Sequence, residues 1–131
     1  MKGEENSVKR VGKIDDKVIT LLELPQPSNK TIFIGDTNIS HMMSKHPADY
    51  SKYGNKIPLI ISSPDYVGIN KKDNSIEYIK EFKMDNEFVK VAVRVSNSNR
   101  YFVRSLYVVN NNRVANFIKK KTLLKYWKNY E

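Results

Sequence analysis

A chain of 131 residues fits one domain with a real core and leaves no room for a second catalytic module. It contains no cysteine, which excludes disulfides, thiolate metal sites and cysteine nucleophiles; its two histidines are a thin metal set, so neither metal nor cofactor is expected. The net charge of +9, from 23 Lys and Arg against 14 Asp and Glu, favours a polyanionic partner, nucleic acid foremost, although lysine also serves simply to keep a surface soluble.

Residues Met1 to Arg10 are too polar to pack and are expected to form a flexible tail, leaving a single domain over 11–131. No apolar run is long enough for a membrane span and no signal-peptide core opens the chain, so a cytoplasmic location without membrane contact is expected. Short strands are predicted around Val11 to Ile14 and Val18 to Leu24, ahead of a Pro25-Gln26-Pro27-Ser28 break, and again at Thr31 to Ile34. Asp36 is a candidate N-cap for a helix running to His46, where Pro47 stops it. Because proline disfavours helical geometry in the residue before it yet suits a helix's first turn, His46 should sit between two helices, the second ending near Tyr53.

An apolar run from Ile57 to Ile61 leads into Ser62-Ser63-Pro64, after which the pattern becomes that of sheet. Strands are expected at Ser75 to Phe82, Phe88 to Val95 and Tyr101 to Val109, separated by turn-forming segments, which makes an antiparallel meander. Helical spacing of Val114, Phe117, Ile118, Leu123, Leu124 and Trp127 predicts a C-terminal helix from Arg113 to Tyr130, with six basic residues and no acidic one. The fold expected is therefore α+β: N-terminal strands and helices packed against an antiparallel β-meander, with a basic C-terminal helix.

Alternation in the second meander strand places Val89, Val91, Val93 and Val95 on one face and Phe88, Lys90, Ala92 and Arg94 on the other. If Asp85-Asn86 is a two-residue turn, Glu77 lies directly opposite Arg94, and Ile76, Tyr78 and Phe82 join the valine face. An even-numbered second loop would bring Tyr101, Val103, Ser105 and Tyr107 to the Arg94 face. Arg104 would then point at the core unless a β-bulge re-aims it or it reaches out from the core edge.

Cleaving RNA without a metal needs a base for the ribose 2′-OH proton, an acid for the leaving 5′-oxygen, and cations for the phosphoryl transition state. Glu77 is the candidate base, though pairing with Arg94 would weaken it in that role and make Arg94 mainly a phosphate clamp. His41 and His46 are natural acid or base candidates if the helices fold over this face. Five residues apart on a helix, the two point roughly 140° from one another, which disfavours a shared metal. Each feature also has a plain structural explanation: a cross-strand Glu/Arg pair, common strand residues at Ser105 and Tyr107, a helix junction at His46, and a solvated face at Lys119-Lys120-Lys121.

Several segments together resemble the phage-associated branch of the barnase/EndoU/colicin/RelE-like nucleases, a family proposed to cleave RNA. They are Ile39-Ser40-His41-Met42-Met43-Ser44-Lys45-His46-Pro47, Ser63-Pro64-Asp65-Tyr66-Val67-Gly68, Ser75-Ile76-Glu77, Val89-Lys90-Val91-Ala92-Val93-Arg94 and Tyr101-Phe102-Val103-Arg104-Ser105-Leu106-Tyr107. The resemblance implies helices on an antiparallel sheet and a site drawn from His41, His46, Glu77, Lys90, Arg94, Arg104, Ser105 and Tyr107. Combined with charge, it makes His41, His46, Glu77, Arg94, Ser105 and Tyr107 the catalytic candidates, and Lys90, Arg104, Arg113, Lys119, Lys120 and Lys121 the RNA-binding ones. The expected activity is metal-independent endoribonuclease action through the 2′-OH, with RNA as partner and a cognate inhibitor protein as a further one. The alternatives are a non-catalytic nucleic-acid-binding module, which would bind without turnover, and a phage or mobile-element protein that inhibits an acidic partner protein.

Overall fold

The computed structural model describes residues 7–127. In chain order it contains β1 (Val8–Ile14), α1 (Asp16–Leu22), β2 (Lys30–Gly35), α2 (Asp36–Lys45), α3 (Pro47–Tyr53), a 3-10 turn (Gly54–Lys56), α4 (Ile57–Ser62), β3 (Tyr66–Ile69), β4 (Ile76–Phe82), β5 (Glu87–Val95), β6 (Tyr101–Val109), α5 (Asn111–Lys119) and β7 (Leu123–Lys125). The α+β class holds, and the meander forms where the alternation and the turn residues placed it. All strands join one seven-stranded sheet in the order β1-β2-β6-β5-β4-β3-β7, antiparallel except where β2 lies parallel to β6. Strand pairing begins at Val8, and the rest of the expected tail, residues 1–6, lies outside the described residues.

One face of the sheet packs on the helices. Val89, Val91 and Val93 of β5, Ile76 and Tyr78 of β4, and Val103 and Leu106 of β6 are all essentially buried against Ile57, Ile60 and Ile61 of α4, with Met42 and Tyr53 in the same cluster. Each such aliphatic side chain contributes about 1.5–3 kcal/mol by leaving water. Ile57, Ile60 and Ile61 share one face because they sit at i, i+3 and i+4, so the unassigned apolar run folds as a helix.

Four expectations are corrected. Val18 to Leu24 is not a strand: Asp15 caps a helix by accepting from the Val18 amide at 2.9 Å, and Glu23 closes it in left-handed geometry. The C-terminal helix stops at Lys119; Thr122 and Lys121 donate their amides back to Phe117 and Ile118, and Leu123–Lys125 then pairs with β3 as β7. The remainder of the expected helix, residues 128–130, lies outside the described residues. The first hairpin turns through Lys83 to Asn86, with Phe82 opposite Glu87, so Glu77 faces Ala92 and not Arg94. This shift by a whole side-chain period leaves both faces as expected.

The second hairpin loop, Ser96 to Arg100, is odd-numbered, which puts Tyr101 and Val103 on the core side and Phe102 beside Arg94. A β-bulge between Val103 and Ser105 then restores the other parity, so that Ser105 pairs with Ala92 and Tyr107 with Lys90. Arg104 is the extra residue of that bulge and is exposed, not aimed at the core. The bulge resolves the one conflict in the sequence pattern.

Candidate active site

The sheet face away from the main core carries the polar residues. On it, Lys90 and Arg94 of β5 flank Ala92, Glu77 of β4 sits opposite Ala92 on one side, and Ser105 of β6 sits opposite it on the other. The small alanine leaves room for its larger neighbours to converge. Lys90 Nζ donates to Glu77 Oε2 at 3.0 Å and lies 5.1 Å from the centre of the Tyr107 ring. Asn70 Nδ2 donates to the same Glu77 oxygen at 3.3 Å. The Glu77 and Lys90 side chains are only 14% and 13% exposed, so their attraction is weakly screened. Burial pulls the Lys90 pKa down, but the Tyr107 hydroxyl and the Glu77 carboxylate outweigh it and hold the ammonium above the usual lysine range.

His46 completes the cluster from the helical layer. Its ring stacks on Tyr107, with centroids 4.9 Å apart and planes 24° from parallel. Two local features place it there. Pro47 keeps His46 out of helical geometry, at φ −139° and ψ 67°, so α2 ends and α3 begins at this residue. Asp49, in the first turn of α3, accepts the Val108 amide at 3.0 Å, tying α3 to β6 beside Tyr107. That amide needs a partner because β2 pairs with β6 only at Tyr101 and Phe102.

The remaining candidates lie around this cluster. Arg94 reaches Asp73 at 3.4 Å, and Asp73 also accepts from the Ser75 hydroxyl and amide at 2.7 and 3.0 Å. The Ser75 hydroxyl, its amide and the Arg94 guanidinium hold the Asp73 carboxyl below the usual carboxylate range. Arg104 lies outward at the bulge. Arg113, Lys119, Lys120 and Lys121 are exposed on α5 and the turn after it. That helix packs Val114, Phe117 and Ile118 on Ile79 and Val109, with Tyr107 at the border, so it walls one end of the site with positive charge. His41 stands exposed on α2, five residues before the junction that carries His46. Among the described residues no three His, Asp or Glu side chains converge as a metal-binding group.

A family model described as phage-Barnase-EndoU-ColicinE5/D-RelE like nuclease3 matches residues 9–116. The chain belongs to this family. The match spans all the segments that carried the resemblance, and His46, Glu77, Lys90, Ser105 and Tyr107 lie within it. No curated protein and no solved structure gives a match. Asn70, Asp73 and Asp49 were not singled out from the sequence of this nuclease-family chain. The run Asn70-Lys71-Lys72-Asp73-Asn74-Ser75 is a turn signal, and its tight hairpin, with Asn74 at φ 61°, is what delivers Asn70 to Glu77 and Asp73 to Arg94.

Proposed function

We propose that the protein is a metal-independent endoribonuclease that uses the ribose 2′-OH as nucleophile, with its site at the Glu77–Lys90–Tyr107–His46 cluster. The observation that carries this reading is the convergence, on the sheet face away from the main core, of a carboxylate, a fixed cation, a phenol and an imidazole from four different elements. A nuclease family membership and a charge of +9 supply the substrate class.

The chemistry assigns a role to each group. The ion pair expected with Arg94 falls to Lys90 and weakens Glu77 as a base in the same way, but it occupies Oε2 together with Asn70, and Oε1 takes the 2′-OH proton as the 2′-oxygen attacks phosphorus. Lys90, held protonated, and the Tyr107 hydroxyl stabilise charge on the non-bridging oxygens. His46, stacked on Tyr107, is the group placed to protonate the 5′-oxygen as the P–O5′ bond breaks. The products are a 2′,3′-cyclic phosphate and a 5′-hydroxyl. Ser105 and Arg94 hold the neighbouring phosphate, and the basic α5 wall steers the strand toward the face. The carboxylate here faces an ammonium and an amide, not further carboxylates, a setting that repels a divalent cation and supports chemistry without one.

The test is incubation of end-labelled single-stranded RNA and its all-DNA counterpart with the protein in EDTA, comparing wild type with Glu77→Gln and His46→Ala. RNA cleavage reduced at least about 100-fold in both variants is expected from loss of acid–base catalysis. Cleavage of DNA, or variants as active as wild type, would overturn the assignment.

A further inference from the structure

At the other end of the open face, β2 and β6 place two phenylalanines side by side. Phe33 and Phe102 pair in register, their ring centroids are 5.9 Å apart with planes tilted by 39°, and both are only partly buried. Large aromatic rings set beside arginines on an open sheet are not explained by core packing, because the core lies on the opposite face. The guanidinium of Arg100 already lies 4.3 Å from the Phe33 ring centre and 5.5 Å from that of Phe102. Arg10 pairs across from Phe33, and Arg94 across from Phe102.

Phe102 also forms a wall of a cleft of about 220 Å³ that Arg104, Asp36, Asn38 and Ser96 help to line. The bulge that turns Arg104 away from the core is what brings it to this cleft. Asn38 Oδ1 accepts the Gly35 amide at 2.9 Å, which commits its oxygen and leaves the amide NH₂ as a donor, while the Asp36 carboxylate offers acceptors. Aromatic surface, planar cations, and a donor and an acceptor at one small cleft match the demands of an unpaired nucleobase with its phosphate.

We propose that this cleft is a nucleobase subsite for single-stranded RNA, in which a base stacks on Phe102 while Arg104 and Arg100 hold the adjacent phosphates. The proposal rests on the nuclease reading of the neighbouring cluster. From Lys90, beside Tyr107, to Arg94, beside Phe102, is four strand residues, or about 13 Å. The base bound is therefore not at the scissile linkage but farther along the same strand, and the site grips a short oligonucleotide.

The test uses a fluorescein-labelled 2′-O-methyl oligoribonucleotide, which lacks the nucleophile and cannot be cleaved, and the same backbone carrying abasic residues. Wild-type protein should bind the base-containing probe at least roughly tenfold more tightly, the scale of one stacked base. Phe102→Leu should abolish that preference, and Phe102→Tyr should retain it. Arg104→Gln, at an exposed position, should weaken both probes alike and flatten the salt dependence. Equal binding of the two probes by wild type, or an unchanged preference in Phe102→Leu, would overturn the subsite. RNA cleavage without base preference defeats the subsite alone; base preference lost in Phe102→Leu without any RNA cleavage defeats the nuclease reading alone.

Discussion

Lys90→Met should cost more stability on its own than together with Glu77→Gln. In the folded protein the pair is bonded at 3.0 Å with both side chains under 15% exposed, and Asn70 alone cannot offset the Glu77 charge. Removing one partner of such a pair leaves a largely desolvated carboxylate, which costs about 3–5 kcal/mol when burial is complete and about 2–3 kcal/mol for a pair that keeps some contact with solvent. For a domain of this size that corresponds to a fall in Tm of roughly 6–12 °C. Glu77→Gln added to Lys90→Met removes the stranded charge and keeps the Asn70 contact, so the double variant should recover about half of the loss. Urea denaturation followed by circular dichroism, with all four members of the cycle, gives the coupling free energy. Losses that add within about 0.5 kcal/mol would refute the reasoning, because independent residues add and a desolvated pair does not.

Asp49→Ala should remove the acceptor of the Val108 amide and cost about 1–2 kcal/mol by denaturation; because α3 then loses its tie beside Tyr107, RNA cleavage should fall further than the stability loss explains at a temperature where the variant is folded. Gly68→Ala should cost about 1–3 kcal/mol, since the added Cβ would meet the Thr122 carbonyl oxygen at 2.5 Å and push β7 off β3, a change that amide exchange across Leu123–Lys125 would report. Asp15→Ala should cost about 1–2 kcal/mol for the lost α1 cap, and more because the buried Tyr126 hydroxyl loses its acceptor, measured by urea midpoint. Asp73, with its folded pKa depressed, contributes stability above the ordinary carboxylate range that is lost as pH falls through its folded value; Asp73→Asn should therefore flatten the acid limb of the stability–pH curve.

Part of the candidate cluster was legible because parity along a single strand depends on residue spacing alone. Lys90 and Arg94 share a face with Glu77 whether Glu77 lies opposite Arg94 or opposite Ala92, since the two registers differ by a whole period, whereas Ser105 and Tyr107 reach that face only because the bulge at Arg104 cancels the odd second loop. His46 was legible from Pro47, whose ring chemistry acts on the residue before it. The exact partners were not, because they depend on turn length: a four-residue first turn passes Glu77 to Lys90, and the odd second loop exchanges Val103 for Phe102 on the open face. Arg104 announced its own irregularity by conflicting with the pattern, but only three-dimensional pairing locates the bulge. Val18 to Leu24 misled because a β-branched, apolar run reads as a strand, whereas the Asp15 cap and the αL residue Glu23 close it as a helix.

The most direct measurement of the central claim is the chemical nature of the cleaved ends. An RNA oligonucleotide digested in EDTA should yield fragments ending in 2′,3′-cyclic phosphate and beginning with 5′-hydroxyl, detected by mass spectrometry. The same sequence with a 2′-deoxy residue at the cleaved position should be left whole there, and Glu77→Gln should leave both intact. Fragments bearing 5′-phosphate, or cutting at the 2′-deoxy position, would contradict attack by the ribose hydroxyl and with it the role assigned to Glu77.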